Sequence, residues 1–175
     1  IHVYLSNSVV PTPVISYFVR LKGANGAVII TASHNPKLWN GFKYKPDYAG
    51  SASQEIVDEL ERYISAAQAV GRVPTMELVD AETSGVLVRT EMAQPYLANL
   101  DNIVDLQGIR QAGFKVGIDA MHGAGSGYFE AALGSGDTSI TSIRSERNPA
   151  FPGMKQPEPI APNLQSTIAE SKKGV

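Results

Sequence analysis

Residues 27–45 read AVIITASHNPKLWNGFKYK, and this stretch decides how the rest of the chain is interpreted. It opens with four apolar residues in a row, and a continuous apolar run of this length predicts a buried strand covered on both faces. Thr31 and Ser33 follow at once, before the turn signal of Asn35 and Pro36. In open α/β sheets, ligands bind at the carboxyl ends of the strands. The stretch therefore predicts an α/β fold with a candidate site at this strand end.

The flanking sequence alternates between strand and helix patterns. A helix is expected to begin with Thr12 as its N-cap and Pro13 in its first turn, and to stop at Gly23. Further helices are predicted over residues 53–69, 89–104, 128–133 and 163–172, the last capped by Asn163. Further strands are predicted over residues 1–5, 114–119 and 139–143. This alternation is typical of α/β proteins.

Composition excludes several classes of function. The chain has 175 residues, a net charge of −2 and no block of basic residues, so a nucleic-acid partner is not expected. It contains no cysteine, which excludes disulfides and thiolate metal sites and fits a cytoplasmic protein. No stretch approaches the roughly 20 apolar residues of a membrane span, so no membrane partner is expected either.

The surroundings of Ser33 favour phosphate chemistry over acyl transfer. Lys37, Lys43 and Lys45 place positive charge near its hydroxyl, and there is no G-x-S-x-G elbow of a serine hydrolase. His34 adjoins Ser33, but neighbours on a strand point to opposite faces unless the chain turns sharply. A simple hydrogen-bonded strand exit without chemistry is the alternative interpretation of these residues.

A second glycine-rich turn follows the strand predicted at residues 114–119. Gly123, Gly125 and Gly127 have the spacing G-x-G-x-G rather than the dinucleotide-binding G-x-G-x-x-G. The spacing therefore favours a tight strand-to-helix turn over a cofactor site. His122, at the start of this turn, is interpreted as structural.

Residues 31–36, TASHNP, followed by NGFK at 40–43, resemble the phosphoserine loop of the α-D-phosphohexomutases. Residues 11–13, 117–125 and 157–159 are similar to other segments of that family. The resemblance implies two three-layer α/β/α domains with mixed sheets, both incomplete in this chain. Residues 1–86 would be the C-terminal part of domain I, and residues 87–175 the N-terminal part of domain II, before its metal loop.

The resemblance also implies an activity and site residues. In its complete form, the enzyme would be an intramolecular phosphotransferase of the isomerase class, interconverting hexose 1-phosphate and 6-phosphate through a hexose bisphosphate. Ser33 would carry the phosphate and, through it, bind Mg²⁺, while His34 and Lys43 would act in proton transfer or charge stabilisation. The residues expected to shape the loop or contact substrate are Asn35, Asn40 and Gly41.

The chain departs from the family at the metal loop. No D-G-D-x-D-R run occurs, and the aspartates are scattered singly, so the aspartate ligands of Mg²⁺ are absent from this sequence. We therefore expect a fragment of a longer enzyme that self-associates through incomplete sheets. The sequence leaves open which sugar phosphate is the substrate. It also leaves open a non-catalytic sugar-phosphate-binding or regulatory module.

Overall fold

A computed structural model describes residues 1–174, in which helices and strands alternate. The elements are β1 (Val3–Ser6), α1 (Thr12–Lys22), β2 (Gly26–Ile30), β3 (Phe42–Pro46), α2 (Gln54–Val70), α3 (Leu78–Thr83), β4 (Leu87–Thr90), α4 (Ala93–Leu100), α5 (Leu106–Gln111), β5 (Lys115–Asp119), α6 (Tyr128–Leu133), β6 (Ser139–Ile143) and α7 (Ala161–Ser171). The predicted α/β class is confirmed.

The strands of residues 1–174 form three two-stranded sheets. β1 pairs with β4 in parallel, β2 pairs with β3 in antiparallel fashion, and β5 pairs with β6 in parallel. The β5–β6 register sets Asp119 opposite Ile143, so both strands of this pair end at one edge. The β2–β3 register sets Ile30 opposite Phe42, and the loop between them carries the TASHNP segment.

The first helix is stopped as its sequence predicts. Gly23 adopts the left-handed conformation (φ 58°), and its N–H donates to the carbonyl of Arg20 at 3.3 Å. The predicted N-cap was wrong by one residue. Pro11 is the N-cap, its carbonyl accepts from the N–H of Val14 at 3.0 Å, and Thr12 is already helical.

The predicted start of the helix at residue 89 is wrong. Leu87–Thr90 is a strand, because it pairs along its whole length with β1, and the helix begins only at Ala93. Glu91 supplies the missing cap: its Oε1 accepts from the N–H groups of Ala93 (2.7 Å) and Gln94 (3.2 Å). The β1–β4 pairing joins segments on both sides of the predicted boundary at residues 86 and 87, and that boundary stays a prediction.

β2 is not covered on both faces by the part of the chain described here. Val28 and Ile30 expose 61% and 68% of their surface, and Phe42, opposite Ile30, exposes 55%. α1 packs against β2, but nothing within residues 1–174 covers these three side chains. The expectation from the apolar run is therefore wrong for this chain, although the strand itself forms.

The last helix begins two residues earlier than predicted, at Ala161. Asn163 is therefore not its cap. Its amide nitrogen instead donates to the carbonyls of Gln156 (2.9 Å) and Glu158 (2.7 Å), which ties the extended segment before the helix to the helix itself.

Two small hydrophobic clusters hold the chain together, and α4 touches both. Val14, Phe18 and Met92 form the first, with Tyr96 of α4 packed against it. Leu106, Ala132 and Leu133 form the second, with Leu97 and Leu100 of α4 packed against it. Because its side chains enter both clusters, α4 connects the first half of the chain (residues 1–92) to the second half (residues 101–174). No helix formed by residues 1–174 has the length and apolar character needed to cross a membrane.

Candidate active site

Ser33 lies just beyond β2, on an exposed sharp turn. Its backbone is left-handed (φ 56°), which is uncommon for a residue other than glycine. The turn is held by two hydrogen bonds: the N–H of Ser33 donates to Oγ1 of Thr31 at 3.0 Å, and the N–H of Asn35 donates to the carbonyl of Ala32 at 3.0 Å. These bonds present the hydroxyl of Ser33 at the carboxyl end of the strand.

The turn brings the side chains of Ser33 and His34 together. Oγ of Ser33 lies 3.3 Å from Nδ1 of His34. A regular strand would point these neighbours apart, so the left-handed backbone at Ser33 is what permits the contact. Both residues are exposed. The histidine is therefore placed where it can exchange a proton with the serine hydroxyl.

The other predicted loop residues have structural partners. Oδ1 of Asn40 accepts from the N–H of Gly41 at 2.9 Å, and the carbonyl of Gly41 accepts from the N–H of Thr31 at 2.9 Å. This last bond closes the base of the loop beside Ile30 and Phe42. Asn35 contributes its backbone N–H to the turn at Ser33. A role of Asn35, Asn40 or Gly41 in substrate contact stays a prediction.

Among residues 1–174, no hydrogen bond joins Lys43 to Ser33. Lys43 lies on β3 opposite Ile29, and it lines a cavity of about 370 Å³ between β3 and α2. Lys45, Leu60 and Glu61 line the same cavity. Its predicted catalytic role therefore stays a prediction.

Ser33 opens onto a cleft of about 460 Å³ between the two halves of the chain. Thr31 and Ala32 line it on the side of the serine. Residues 119–124 and Arg147 line it on the side of the second half, together with Pro149, Phe151, Pro157 and Pro159. This volume lies within the range of roughly 300–1,000 Å³ that small-molecule sites occupy. The cleft can therefore hold a ligand of sugar-phosphate size.

A buried ion pair fixes the wall across the cleft from Ser33. Asp119, whose side chain is 6% exposed, binds Nε of Arg144 at 2.9 Å and also its Nη2, while Thr167 donates to the same carboxylate. The N–H of Met121 donates to Oδ1 of Asp119 at 3.1 Å. Burial works to raise the pKa of Asp119, but these hydrogen bonds outweigh it and hold the pKa below the ordinary value. Asp119 is thus ionised and fully engaged.

Backbone strain is concentrated in this cleft. Within residues 1–174, six residues other than glycine have positive φ, and four of them line the cleft: Ser33 (56°), Met121 (47°), His122 (60°) and Phe151 (47°). Such conformations each cost on the order of 1–3 kcal/mol and persist only where the surroundings enforce them. Clusters of strained residues are typical of active sites. The strain therefore marks this cleft as the candidate site.

The residues of the cleft do not make a complete magnesium site. A hard cation needs several clustered oxygen ligands, and no group of three or more histidine, aspartate or glutamate residues is found among residues 1–174. Asp119 lines the cleft but is bound by Arg144. The binding of Mg²⁺ through a phosphate on Ser33 stays a prediction.

Two of the cleft residues, His122 and Arg147, were not predicted from the sequence to lie at the site. His122, interpreted as structural, does hold the turn, since its Nδ1 lies 2.8 Å from the carbonyl of Glu146, but it also lines the cleft. Arg147 belongs to no motif and lies immediately before a proline-rich segment, residues 148–162. The one sequence signal that could have found Arg147 is the turn-forming pair Asn148 and Pro149 that follows it. The structure then shows this segment returning to the strand ends at the cleft.

Comparison with known proteins defines the class. Residues 1–70 match the family model for phosphoglucomutase/phosphomannomutase, alpha/beta/alpha domain I, and residues 94–174 match the model for alpha/beta/alpha domain II. The class is thus an α/β protein whose two segments match two α/β/α domains of one family. The chain belongs to the phosphoglucomutase/phosphomannomutase family.

Relatives and solved structures agree with this assignment. The chain is 30% identical over 149 residues to a phosphoglucomutase of Komagataeibacter xylinus, covering 81% of the chain and 27% of the relative. It is 34% identical over 168 residues to a phosphoglucosamine mutase of Limosilactobacillus reuteri, covering 93% and 33%. A Thermus thermophilus crystal structure assigned as a phosphomannomutase superposes with a TM-score of 0.76 at 29% identity, covering 100% of the chain and 38% of that structure. The chain therefore spans about a third of the length of these relatives.

Proposed function

We propose that this chain carries the phosphoserine loop and part of the substrate cleft of a cytoplasmic phosphohexomutase. That enzyme interconverts hexose 1-phosphate and hexose 6-phosphate through a hexose bisphosphate, with Mg²⁺ as cofactor. One observation carries the proposal: the hydroxyl of Ser33 is exposed on a strained turn at a strand end and opens onto the cleft between the two halves.

In the proposed reaction the phosphoryl group moves between Ser33 and the sugar. The bond from phosphorus to Oγ of Ser33 breaks as a bond from phosphorus to a sugar hydroxyl oxygen forms. The hydroxyl loses its proton, and Oγ of Ser33 gains one. His34 supports this exchange because its Nδ1 lies 3.3 Å from Oγ. After the bisphosphate has turned over in the cleft, the reverse transfer moves its other phosphoryl group to Ser33.

The test uses the protein expressed from its complete gene. It is incubated with glucose 1,6-bisphosphate labelled with ³²P, and the label is mapped by proteolysis and mass spectrometry. We expect one phosphate, on Ser33, and no label in Ser33→Ala or Ser33→Gly. The glycine variant controls for folding, since glycine adopts positive φ without strain. Ser51→Ala, at an exposed serine outside the cleft, is the matched control and should label normally.

The outcomes separate the possibilities clearly. Label at another residue, or full mutase activity in Ser33→Ala, would contradict the proposal. Binding of hexose phosphate without any label or turnover would instead identify a non-catalytic sugar-phosphate-binding module.

A further inference from the structure

One wall of the cleft carries basic residues that have no role in the proposed reaction. His122 and Arg147 both line the cleft, on the side contributed by the second half of the chain. They are the basic residues of that lining, and the acidic residue there, Asp119, is already paired with Arg144. The free charge that faces the cleft from this wall is therefore positive.

Arg147 is available to a ligand. Its side chain belongs to an exposed residue, and none of the ion pairs formed within residues 1–174 includes it. A guanidinium group presents several N–H donors in a planar fork, a geometry that matches the oxygens of a phosphate monoester. An unpaired arginine at the rim of an apolar-lined cleft is thus suited to bind such an anion.

The tautomer of His122 is set by its neighbour. A carbonyl oxygen only accepts, so the contact of 2.8 Å between Nδ1 and the carbonyl of Glu146 requires Nδ1 to carry the hydrogen. The backbone of His122 is also engaged: its N–H donates to the carbonyl of Arg144 at 2.9 Å, and its carbonyl accepts from Asn148 at 3.1 Å. Nε2 is the remaining polar atom, and it can donate to an anion when the ring is protonated.

The strained backbone at Met121 and His122 indicates that the position of the His122 side chain serves a function. Met121 and His122 are consecutive left-handed residues, and three hydrogen bonds from residues 144–148 hold His122 in this conformation. Because these hydrogen bonds fix the strained turn from several directions, they hold the side chain of His122 in one position.

We propose that Nε2 of His122 and the guanidinium of Arg147 together bind a phosphate monoester across the cleft from Ser33. This inference rests on the proposed function, which supplies two such groups: the phosphate on Ser33 and the phosphate of the sugar. Both residues are binding residues, and neither forms or breaks a bond.

The test compares Arg147→Gln, Arg147→Lys and His122→Asn in the protein expressed from its complete gene. Asparagine tolerates positive φ, so His122→Asn removes Nε2 with little added strain. Arg72→Gln, at an exposed arginine outside the cleft, is the matched control. Two quantities are measured: the KM for glucose 1-phosphate, and the rate at which phosphate is lost from labelled Ser33 without sugar.

We expect Arg147→Gln to change at least one of these quantities by about tenfold or more, since a charged hydrogen bond is lost. Arg147→Lys should change the same quantity less than Arg147→Gln does, and Arg72→Gln should change neither quantity. A raised KM assigns the site to the phosphate of the sugar, and an altered loss from Ser33 assigns it to the phosphoserine. If Arg147→Gln and His122→Asn leave both quantities unchanged, the inference is overturned.

Failure of the proposed function gives a different result. If Ser33 never takes label, binding of inorganic phosphate is measured by equilibrium dialysis in the same variants. Binding that weakens in Arg147→Gln but not in Arg72→Gln would still support the anion site. Binding that is absent, or equal in all variants, would overturn it.

Discussion

Arg144 binds both carboxylate oxygens of Asp119, joining the residue that ends β5 to the residue that follows β6. Thr167 of α7 donates to the same carboxylate. One buried side chain therefore connects both strands of this sheet to the last helix. Because the N–H of Met121 also binds Asp119, the pair fixes the turn that forms the far wall of the cleft.

Asp119→Asn should lower the free energy of unfolding of this half by about 1.5–3 kcal/mol, because it removes the counter-charge of the partly buried Arg144, which keeps its hydrogen bond to the carbonyl of Asn163. The pKa of Asp119 is lowered in the folded state, so its stabilising contribution is present above its unfolded pKa of about 3.9 and is lost as pH falls through the folded value. Urea unfolding followed by circular dichroism between pH 2 and pH 7 would measure both effects.

The control for this experiment is Asp47→Asn, at an exposed aspartate that forms none of the ion pairs within residues 1–174. It should change stability by less than about 0.5 kcal/mol. An Asp119→Asn variant as stable as this control at pH 7 would mean that the ion pair does not hold the turn.

Most elements follow from local sequence, and the elements that were not predicted are β3, α3, β4 and α5. The helix at residues 128–133 and the strand at residues 139–143 follow directly from their apolar periodicity. β4 was missed because its four residues become a strand only by pairing with β1, more than 80 positions earlier. Local patterns carry no information about such a distant partner.

The candidate site was predictable in part, for a similar reason. Ser33 stands in a contiguous motif that a single sequence reveals. His122 and Arg147 face the same cleft only because β5, β6 and the segment after them fold back toward β2, so their juxtaposition appears only in three dimensions. The contact between Ser33 and His34 depends on a left-handed backbone at Ser33, which serine seldom adopts. Asn35 and Pro36 predicted a turn here but not this backbone conformation.

Ile30→Lys should reduce self-association of the 175-residue chain. Val28, Ile30 and Phe42 form an exposed apolar face on the β2–β3 pair, and such faces promote association. Sedimentation velocity at several concentrations would measure the change. Leu38→Lys is the matched control, because Leu38 is 91% exposed but lies in the loop, away from this face. Equal effects of the two substitutions would show that the sheet is not the site of association.

His34→Gln should lower kcat of the protein expressed from its complete gene by roughly 10²-fold or more, with little change in KM. A positioned general acid–base contributes about 10²–10⁴ in rate, and glutamine cannot carry the proton to or from Oγ of Ser33. Steady-state kinetics measure both constants. His2→Gln, in the exposed N-terminal segment, should behave as the unchanged protein does. An unaltered kcat in His34→Gln would leave the 3.3 Å contact as a structural feature of the turn.

Lys43→Met provides the sharpest test of the predicted catalytic set, because Lys43 lines a cavity apart from the cleft of Ser33. If its charge stabilises the moving phosphoryl group, the interaction is strongest in the transition state, and its loss lowers kcat rather than raising KM. Removing one electrostatic donor of this kind costs about 10²–10³ in rate, and we expect a decrease of that size. Steady-state kinetics with glucose 1-phosphate measure it.

Lys45→Met is the matched control, since Lys45 lies two residues along the same strand and lines the same cavity. It should retain most of the rate, and Lys43→Arg should recover part of what Lys43→Met loses, because the charge is kept but its position shifts. If Lys43→Met and Lys45→Met lower kcat equally, the effect comes from the summed positive charge of β3 and not from a specific contact of Lys43. A change confined to KM would instead make Lys43 a ground-state contact to the sugar phosphate, because only an interaction that strengthens in the transition state raises kcat.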